Sequence, residues 1–227
     1  MTVLDRIPNE TNREYAFRVI RENIITMDIK PGSLVGEQEL ATQLGLSRTP
    51  VHEAFLELSK SKIVEIYPQR GSRVSLIDFD LVEEANFIRR TIESAIVELA
   101  CDMATAEDLH VLDENVRLQE FYLENSPSKI MELDNQFHYY LYRICNKAQC
   151  YYFVQSMSIH FDRVRNLSLR SVKDLKIIGD HKAIVDAIRA HDKAQAKAIL
   201  EKHLSRYHID QAEMRAAYPD YFVQDND

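Results

Sequence analysis

Between Glu37 and Leu58 the chain reads EQELATQLGLSRTPVHEAFLEL. Leu40, Ala41 and Leu44 share one face of a short helix. Gly45 can end that helix, because glycine adopts a left-handed backbone at little cost. Ser47 is a good N-cap for a second helix, and Pro50 sits early in it, where a missing N–H does little harm. Val51, Phe55 and Leu58 then recur at helical spacing. Two short helices around a glycine-containing turn, apolar on the inside, predict a helix-turn-helix. Upstream, Tyr15, Val19 and Ile20, extended by Phe17, Ile24 and Ile25, predict a helix from Thr11 or Asn12 to about Met27, which Lys30-Pro31-Gly32 breaks. Downstream, Ile63, Val64, Ile66 and Tyr67 predict a strand, Pro68-Gln69-Arg70-Gly71 a turn, and Arg73-Val74-Ser75-Leu76 a second strand. The pattern as a whole is a winged helix, a DNA-binding fold.

After Leu76 the periodicity is helical throughout. Phe79, Leu81, Val82, Ala85, Ile88, Ile92, Ile96, Val97 and Ala100 open a helix near 78–102. Further helices are predicted near 106–124, 127–145, 147–168, 172–191 and 193–216, with no strand. Gly179 is the only glycine after Gly71, which suits a packed bundle. The predicted fold is therefore mainly α: a winged helix-turn-helix with a small β-wing over residues 1–76, then an all-α helical bundle over 77–227. The polar, acidic tail after Tyr218-Pro219 is expected to fray.

A net charge of −8 is unusual for a chain that binds DNA. Its distribution removes the difficulty. Residues 1–76 carry ten basic and ten acidic side chains, and the remainder carries 18 basic against 26 acidic. Binding then rests on a local patch of Arg48, Lys60, Lys62, Arg70 and Arg73 rather than on overall charge. The start of the chain has no apolar signal region, and no run of about 18 apolar residues predicts a membrane span. Cys101, Cys145 and Cys150 are unpatterned and read as reduced thiols, which places the protein in the cytoplasm.

Four side chains of the second region suggest chemistry. Asp134 and His138 are four apart on a helix and share a face, with Phe137 and Leu141 marking the adjacent inner face. His181 precedes the inward stripe Ile184, Val185 and Ile188, and His203 lies between Leu200 and Leu204. One carboxylate and three imidazoles on inward faces of three helices could hold a divalent ion such as Zn²⁺, Ni²⁺, Fe²⁺ or Mn²⁺. Each residue taken singly is also consistent with an ordinary core or surface position, as His110, His160, His191 and His208 are read here.

The N-terminal run resembles the GntR family of bacterial transcription regulators. The resemblance rests on Lys30-Pro31-Gly32-Ser33-Leu34, Glu37-Gln38-Glu39-Leu40-Ala41, Leu44 through Val51, Glu53-Ala54, Leu58 and Arg70 through Val74. Two departures stand out: His52 occupies a position where the family usually has arginine, and Ser61-Lys62 replaces a common Glu-Gly pair before the wing. The second region resembles the FCD ligand-binding domain of the FadR-type branch, an antiparallel helical bundle. Asp134 through His138, Asp180 through Ile184, and Ala194 through Leu204 match its three metal-binding elements, and Arg89 with Glu93 matches the Arg-x-x-x-Glu of its first helix. The resemblance implies a metal held by Asp134, His138, His181 and His203, and a small carboxylate effector beside it. Arg89, Asn135 and Arg165 are the expected effector contacts, with Tyr139 and Tyr140 as further candidates. For Arg89 an ion pair with Glu93 remains equally open.

The expected function is a transcription regulator, a repressor in the commoner family pattern. It would bind a short pseudo-palindrome in double-stranded DNA as a homodimer through Gln38, Ser47, Arg48, Thr49, His52, Arg70 and Gly71. A metal-dependent enzyme fused to a DNA-binding module is the alternative, but no separate general base stands beside the four residues, and four protein ligands exceed the three usual in catalytic zinc sites. A purely structural metal is the third reading.

Overall fold

The computed structural model describes residues 1–67, 71–123, 126–171 and 176–224. It is mainly helical, with one small three-stranded antiparallel sheet, and divides into two compact units. The first unit comprises Met1–Val82, Ile159–Val164 and Arg215–Asp227. Helix α1 (Asn12–Ile25) opens with a full capping box, in which Thr11 and Glu14 satisfy each other's backbone N–H groups. It buries Tyr15, Ala16, Val19, Ile20, Ile24 and Ile25. Helix α2 (Glu37–Leu44) ends at Gly45 in the left-handed conformation, with φ of 64°. Helix α3 (Arg48–Lys60) follows and buries Val51, Ala54, Phe55 and Leu58. Ser47 takes the N-cap position with an extended backbone, but its side chain makes no capping bond.

The wing is larger than expected. A short strand β1 (Leu34–Val35) joins β2 (Val64–Tyr67) and β3 (Gly71–Val74) in the order β1-β3-β2. β3 begins at Gly71 rather than Arg73, and pairing continues beyond it where Ser75 N–H donates to Ile63 O at 2.9 Å. Gly71 has φ of +94°, and a Cβ there would lie 3.3 Å from Val35 O, so close approach of β1 favours glycine.

The second unit comprises Glu83–Ser158 and Arg165–Met214. Its helices are α4 (Phe79–Met103), α5 (Ala106–Tyr122), α6 (Pro127–Ile144), α7 (Ala148–Met157), α8 (Ile159–Ser171), α9 (Lys176–Arg189), α10 (Lys193–Leu204) and α11 (Tyr207–Ala217), of which α4, α8 and α11 have one end in the first unit. α5 packs on α6 and α9, and α9 packs on α10. Two expected long helices are each divided. Ser158 separates α7 from α8, its hydroxyl donating to Val154 O at 2.8 Å, and Ser205 ends α10, donating to Glu201 O at 2.8 Å. Such back-bonding competes with the helical ladder, which periodicity of apolar residues does not register.

Candidate metal centre and DNA-facing surface

The inward stripe of the bundle is unusually polar. On α4 it includes Asn86, Arg89 and Glu93, all buried, and on α5 Asn115 and Gln119 beside Leu112 and Val116. α6, α9 and α10 add Asp134, His138, His181 and His203. One ligand-type atom from each of these four lies within 4.8 Å of the others. His203 Nε2 is 3.2 Å from His138 Nε2 and 3.3 Å from His181 Nε2, and His181 Nε2 is 3.4 Å from Asp134 Oδ1. Two nitrogens bound to one tetrahedral ion at 2.0–2.1 Å lie about 3.3–3.4 Å apart, so the spacing suits a shared cation.

The other ring nitrogens explain why the Nε2 atoms converge. His138 Nδ1 is 2.7 Å from Glu93 Oε2, and His181 Nδ1 is 2.7 Å from Gln119 Oε1. Gln119 Oε1 is an acceptor, so His181 Nδ1 carries the proton and its Nε2 presents a lone pair, whereas the His138–Glu93 approach is an ion-pair contact without hydrogen-bond geometry. His203 Nδ1 faces Asp180 Oδ2 at 3.9 Å, an ion-pair distance rather than a hydrogen bond. His203 Nε2 holds either one proton or one lone pair, so it cannot pair with both neighbouring nitrogens at once. A bound cation resolves this, and oxygen acceptors behind histidines are the usual support for metal-binding rings. The donor set therefore fits a divalent ion.

Burial dominates the electrostatics. Desolvation pushes His138 and His203 well below the ordinary imidazole range and His181 down to about 4, so the rings are held neutral, the form that binds metal. Desolvation also opposes ionisation of Asp134, but the Arg165 guanidinium and the surrounding charges outweigh it and hold the carboxyl low. Arg165 Nη1 donates to Asp134 Oδ2 at 2.6 Å, and Nη2 donates to Asn135 Oδ1. Arg165 and Asn135 thus adjoin the cluster. Arg89 Nε donates to Glu93 Oε1 at 2.7 Å, making a chain Arg89–Glu93–His138 in which the ion-pair arrangement is present. Tyr139 lies instead in an aromatic group with Tyr151 and Tyr152. Gln119 is absent from the sequence-based expectations, and Asp180 enters them only as part of the family match. The inward spacing of Gln119 after Leu112 and Val116, and the adjacency of Asp180 to His181, were the available signals.

On the DNA-binding side, Gln38, Ser47, Arg48 and Thr49 are exposed at the starts of α2 and α3, and His52 is half-exposed one turn further on. Gly71 is half-buried in β3, and Arg70 lies outside the described residues. Arg48 and His52 share a partner that the sequence reading passed over. Glu37, the first residue of α2, is 6% exposed; its Oε2 accepts from Arg48 Nε at 2.9 Å and its Oε1 from His52 Nδ1 at 2.9 Å. Burial works against its ionisation, but the two hydrogen bonds outweigh that and hold the carboxyl below its usual range. Of the expected basic patch, Lys60 pairs with Glu57 at 2.8 Å and Arg73 Nε donates to Gly32 O at 3.2 Å.

A winged helix-turn-helix followed by a helical domain with a buried ligand-type cluster is the build of a DNA-binding transcription regulator. Family comparison agrees: residues 12–74 match the bacterial regulatory proteins, gntR family, and residues 84–206 match the FCD domain. The chain belongs to the GntR family, with an FCD domain following its helix-turn-helix, and is a transcription regulator rather than an enzyme. It is 28% identical to the HTH-type transcriptional repressor RspR of Escherichia coli (strain K12), over 99% of this chain and 100% of that one. It is 30% identical to an HTH-type transcriptional regulator in an unstable DNA locus of Streptomyces ambofaciens, over 95% of this chain and 91% of the relative. Among solved structures, E. coli McbR/YncC shares the fold at a TM-score of 0.75 and 20% identity, over 92% of this chain and 99% of that chain. Among the described residues no helix is long and apolar enough to cross a membrane.

Proposed function

We propose that the protein is a homodimeric repressor that binds a short pseudo-palindromic operator and responds to a small organic acid bound at a metal centre. Residues 1–76 form the DNA-binding module and residues 77–227 the effector module. Asp134, His138, His181 and His203 hold one divalent ion, which supplies open coordination positions for a carboxylate. The observation that carries this reading is the convergence of His138, His181 and His203 through Nε2, with oxygen acceptors behind His138 and His181.

Within this reading each group has a distinct task. Gln119 fixes the tautomer of His181, and Glu93 lies beside the His138 ring as its charged neighbour. Arg165 keeps Asp134 ionised and, with Asn135, offers donors to an acid at the rim of the cluster. Arg48 reads a base edge from the start of α3, with Ser47 and Thr49 beside it and Gln38 at the start of α2. The acid shifts operator affinity to the extent that it binds the DNA-competent and incompetent arrangements of the dimer unequally. RspR is itself named a repressor, which supports that direction of control. The test is metal analysis of the purified protein, followed by titration of candidate organic acids against the protein–operator complex. About one ion per chain and acid-induced release from DNA support the reading. A full equivalent of metal with no response to any acid supports a structural metal instead.

A further inference from the structure

Among the described residues, the charged groups gathered at the His52 ring are few. Glu37 comes from α2 and Arg48 from the same helix, α3. α1 also packs on α3, but there Arg13 meets Glu57. β2 packs on α3 as well, and its Glu65 accepts from the Tyr67 hydroxyl. Glu37 is a carboxylate and can only accept, so His52 Nδ1 is the donor in their 2.9 Å bond. This holds whether the ring is neutral or charged. Nδ1 is thus engaged, and Nε2, the ring's other nitrogen, is the one left for an outside partner, on a side chain that is 44% exposed.

That assignment has a consequence for base reading. An Nε2 lone pair accepts a hydrogen bond, and in the major groove the groups that donate one are the amino groups of cytosine and adenine. A protonated Nε2 donates, and guanine O6 and N7 are its best acceptors. We propose that His52 is a proton-dependent base reader, with Glu37 fixing its tautomer so that the nitrogen which titrates is the one offered to DNA. Arginine at this position donates in every state. Histidine held by Glu37 changes from acceptor to donor, and with it the preferred base pair at one position of each half-site. The proposal rests on the operator-binding reading above, and the experiment separates the two.

The full-length protein is used to select duplexes from a randomised DNA library at about pH 8 and about pH 5.5. Affinities are then measured for four duplexes that differ only at the position whose preference changes. For the wild type, the amino-bearing base should be favoured at the higher pH and guanine at the lower, each by about fivefold, the worth of one hydrogen bond. His52→Arg should favour guanine at both. Glu37→Gln, whose amide can either donate or accept, should keep binding DNA but lose the inversion. The same base ranking at both pH values in the wild type, or an inversion that persists in His52→Ala, overturns the proposal alone. Failure to enrich any sequence at either pH overturns the operator reading and the proposal with it.

Discussion

Arg165 Nη1 lies 2.6 Å from Asp134 Oδ2, so the one carboxylate of the histidine cluster is already engaged by a buried cation on one oxygen. Its other oxygen, Oδ1, is the one that faces His181 Nε2 at 3.4 Å. The two oxygens thus have separate tasks. Arg165 is also the strongest of the influences that hold the Asp134 carboxyl low against the effect of burial. Arg165→Gln should raise it. Metal loss on acidification should then begin at a higher pH than in the wild type, because a protonated carboxyl is a poor ligand. Metal retention measured against pH checks this, and superimposable curves would remove Arg165 from the account.

The three buried histidines make a prediction for the metal-free protein. Their folded-state values lie below the ordinary imidazole value, with His181 at about 4. Below about pH 6.5 the unfolded chain therefore binds more protons than the folded one, and stability rises with pH in that range. The contribution is fully present above the ordinary imidazole value and is lost as pH falls toward about 4. Urea denaturation of chelator-treated protein should show the midpoint falling as pH drops from about 7 to about 5. His181→Gln should flatten that fall. A midpoint independent of pH there would mean that the rings take up protons as readily in the folded state as in the unfolded one.

The winged helix was legible in the sequence because its signals are local. Gly45, Pro50 and the stripe Val51, Phe55 and Leu58 each fix one turn or face without help from distant residues. The two-residue strand β1 escaped notice because Leu34 and Val35 gain strand geometry only by pairing with Arg73 and Ser72, far along the chain. The four ligand-type residues could be placed from spacing and family resemblance. Glu93 is visible in the Arg-x-x-x-Glu match, but its place beside His138, like that of Gln119 beside His181, emerges only from the packing of the helices. Glu37 was hidden for a similar reason. In the sequence it stands only as part of the family match, and its hold on Arg48 and His52 depends on the packing of α2 against α3.

Arg163 presents a different kind of test. Its side chain is fully buried, Nη2 donates to Ser75 O at 2.6 Å, and among the described residues neither Nε nor Nη1 has a hydrogen-bond partner. Burial alone pushes it down to about 9, so it stays charged at neutral pH. Each unmet donor costs about 1–3 kcal/mol. Arg163→Met should therefore leave stability unchanged or raise it, as replacement of a poorly compensated buried charge commonly does. A denaturant midpoint markedly lower in Arg163→Met would show that the guanidinium is better compensated than this.

Arg48 should carry a measurable share of operator specificity. Its side chain is 66% exposed at the first position of α3, and Glu37 holds only its Nε. The terminal nitrogens remain available for the two-pronged contact that arginine makes with guanine. Arg48→Ala should cost about 1–3 kcal/mol of binding and relax the preference at one position of each half-site. Titration against a selected duplex gives both the affinity and the stoichiometry, which should be two chains per duplex. Unchanged affinity in a folded variant would place Arg48 away from the bases.

Removal of single ligands should separate sensing from DNA binding. His138 comes from α6 and His203 from α10, and their Nε2 atoms lie 3.2 Å apart, so loss of either removes a donor from the same point. His138→Ala also leaves Glu93 Oε2 without the ring it faces at 2.7 Å, whereas His203→Ala frees only the weaker 3.9 Å contact with Asp180. Both variants should lose metal affinity by orders of magnitude. His138→Ala should be the less stable of the two, because it empties the space beside the buried Glu93 carboxylate, which the ring meets at the shorter distance. The DNA-binding unit has its own core in Val19, Ile20, Val51 and Phe55, all fully buried, so operator affinity should survive in both. The response to organic acid should disappear. Metal content, thermal unfolding and operator titration with and without acid read these outcomes separately. Variants that keep a full equivalent of metal and respond to acid as the wild type does would place the metal elsewhere and end the sensing model.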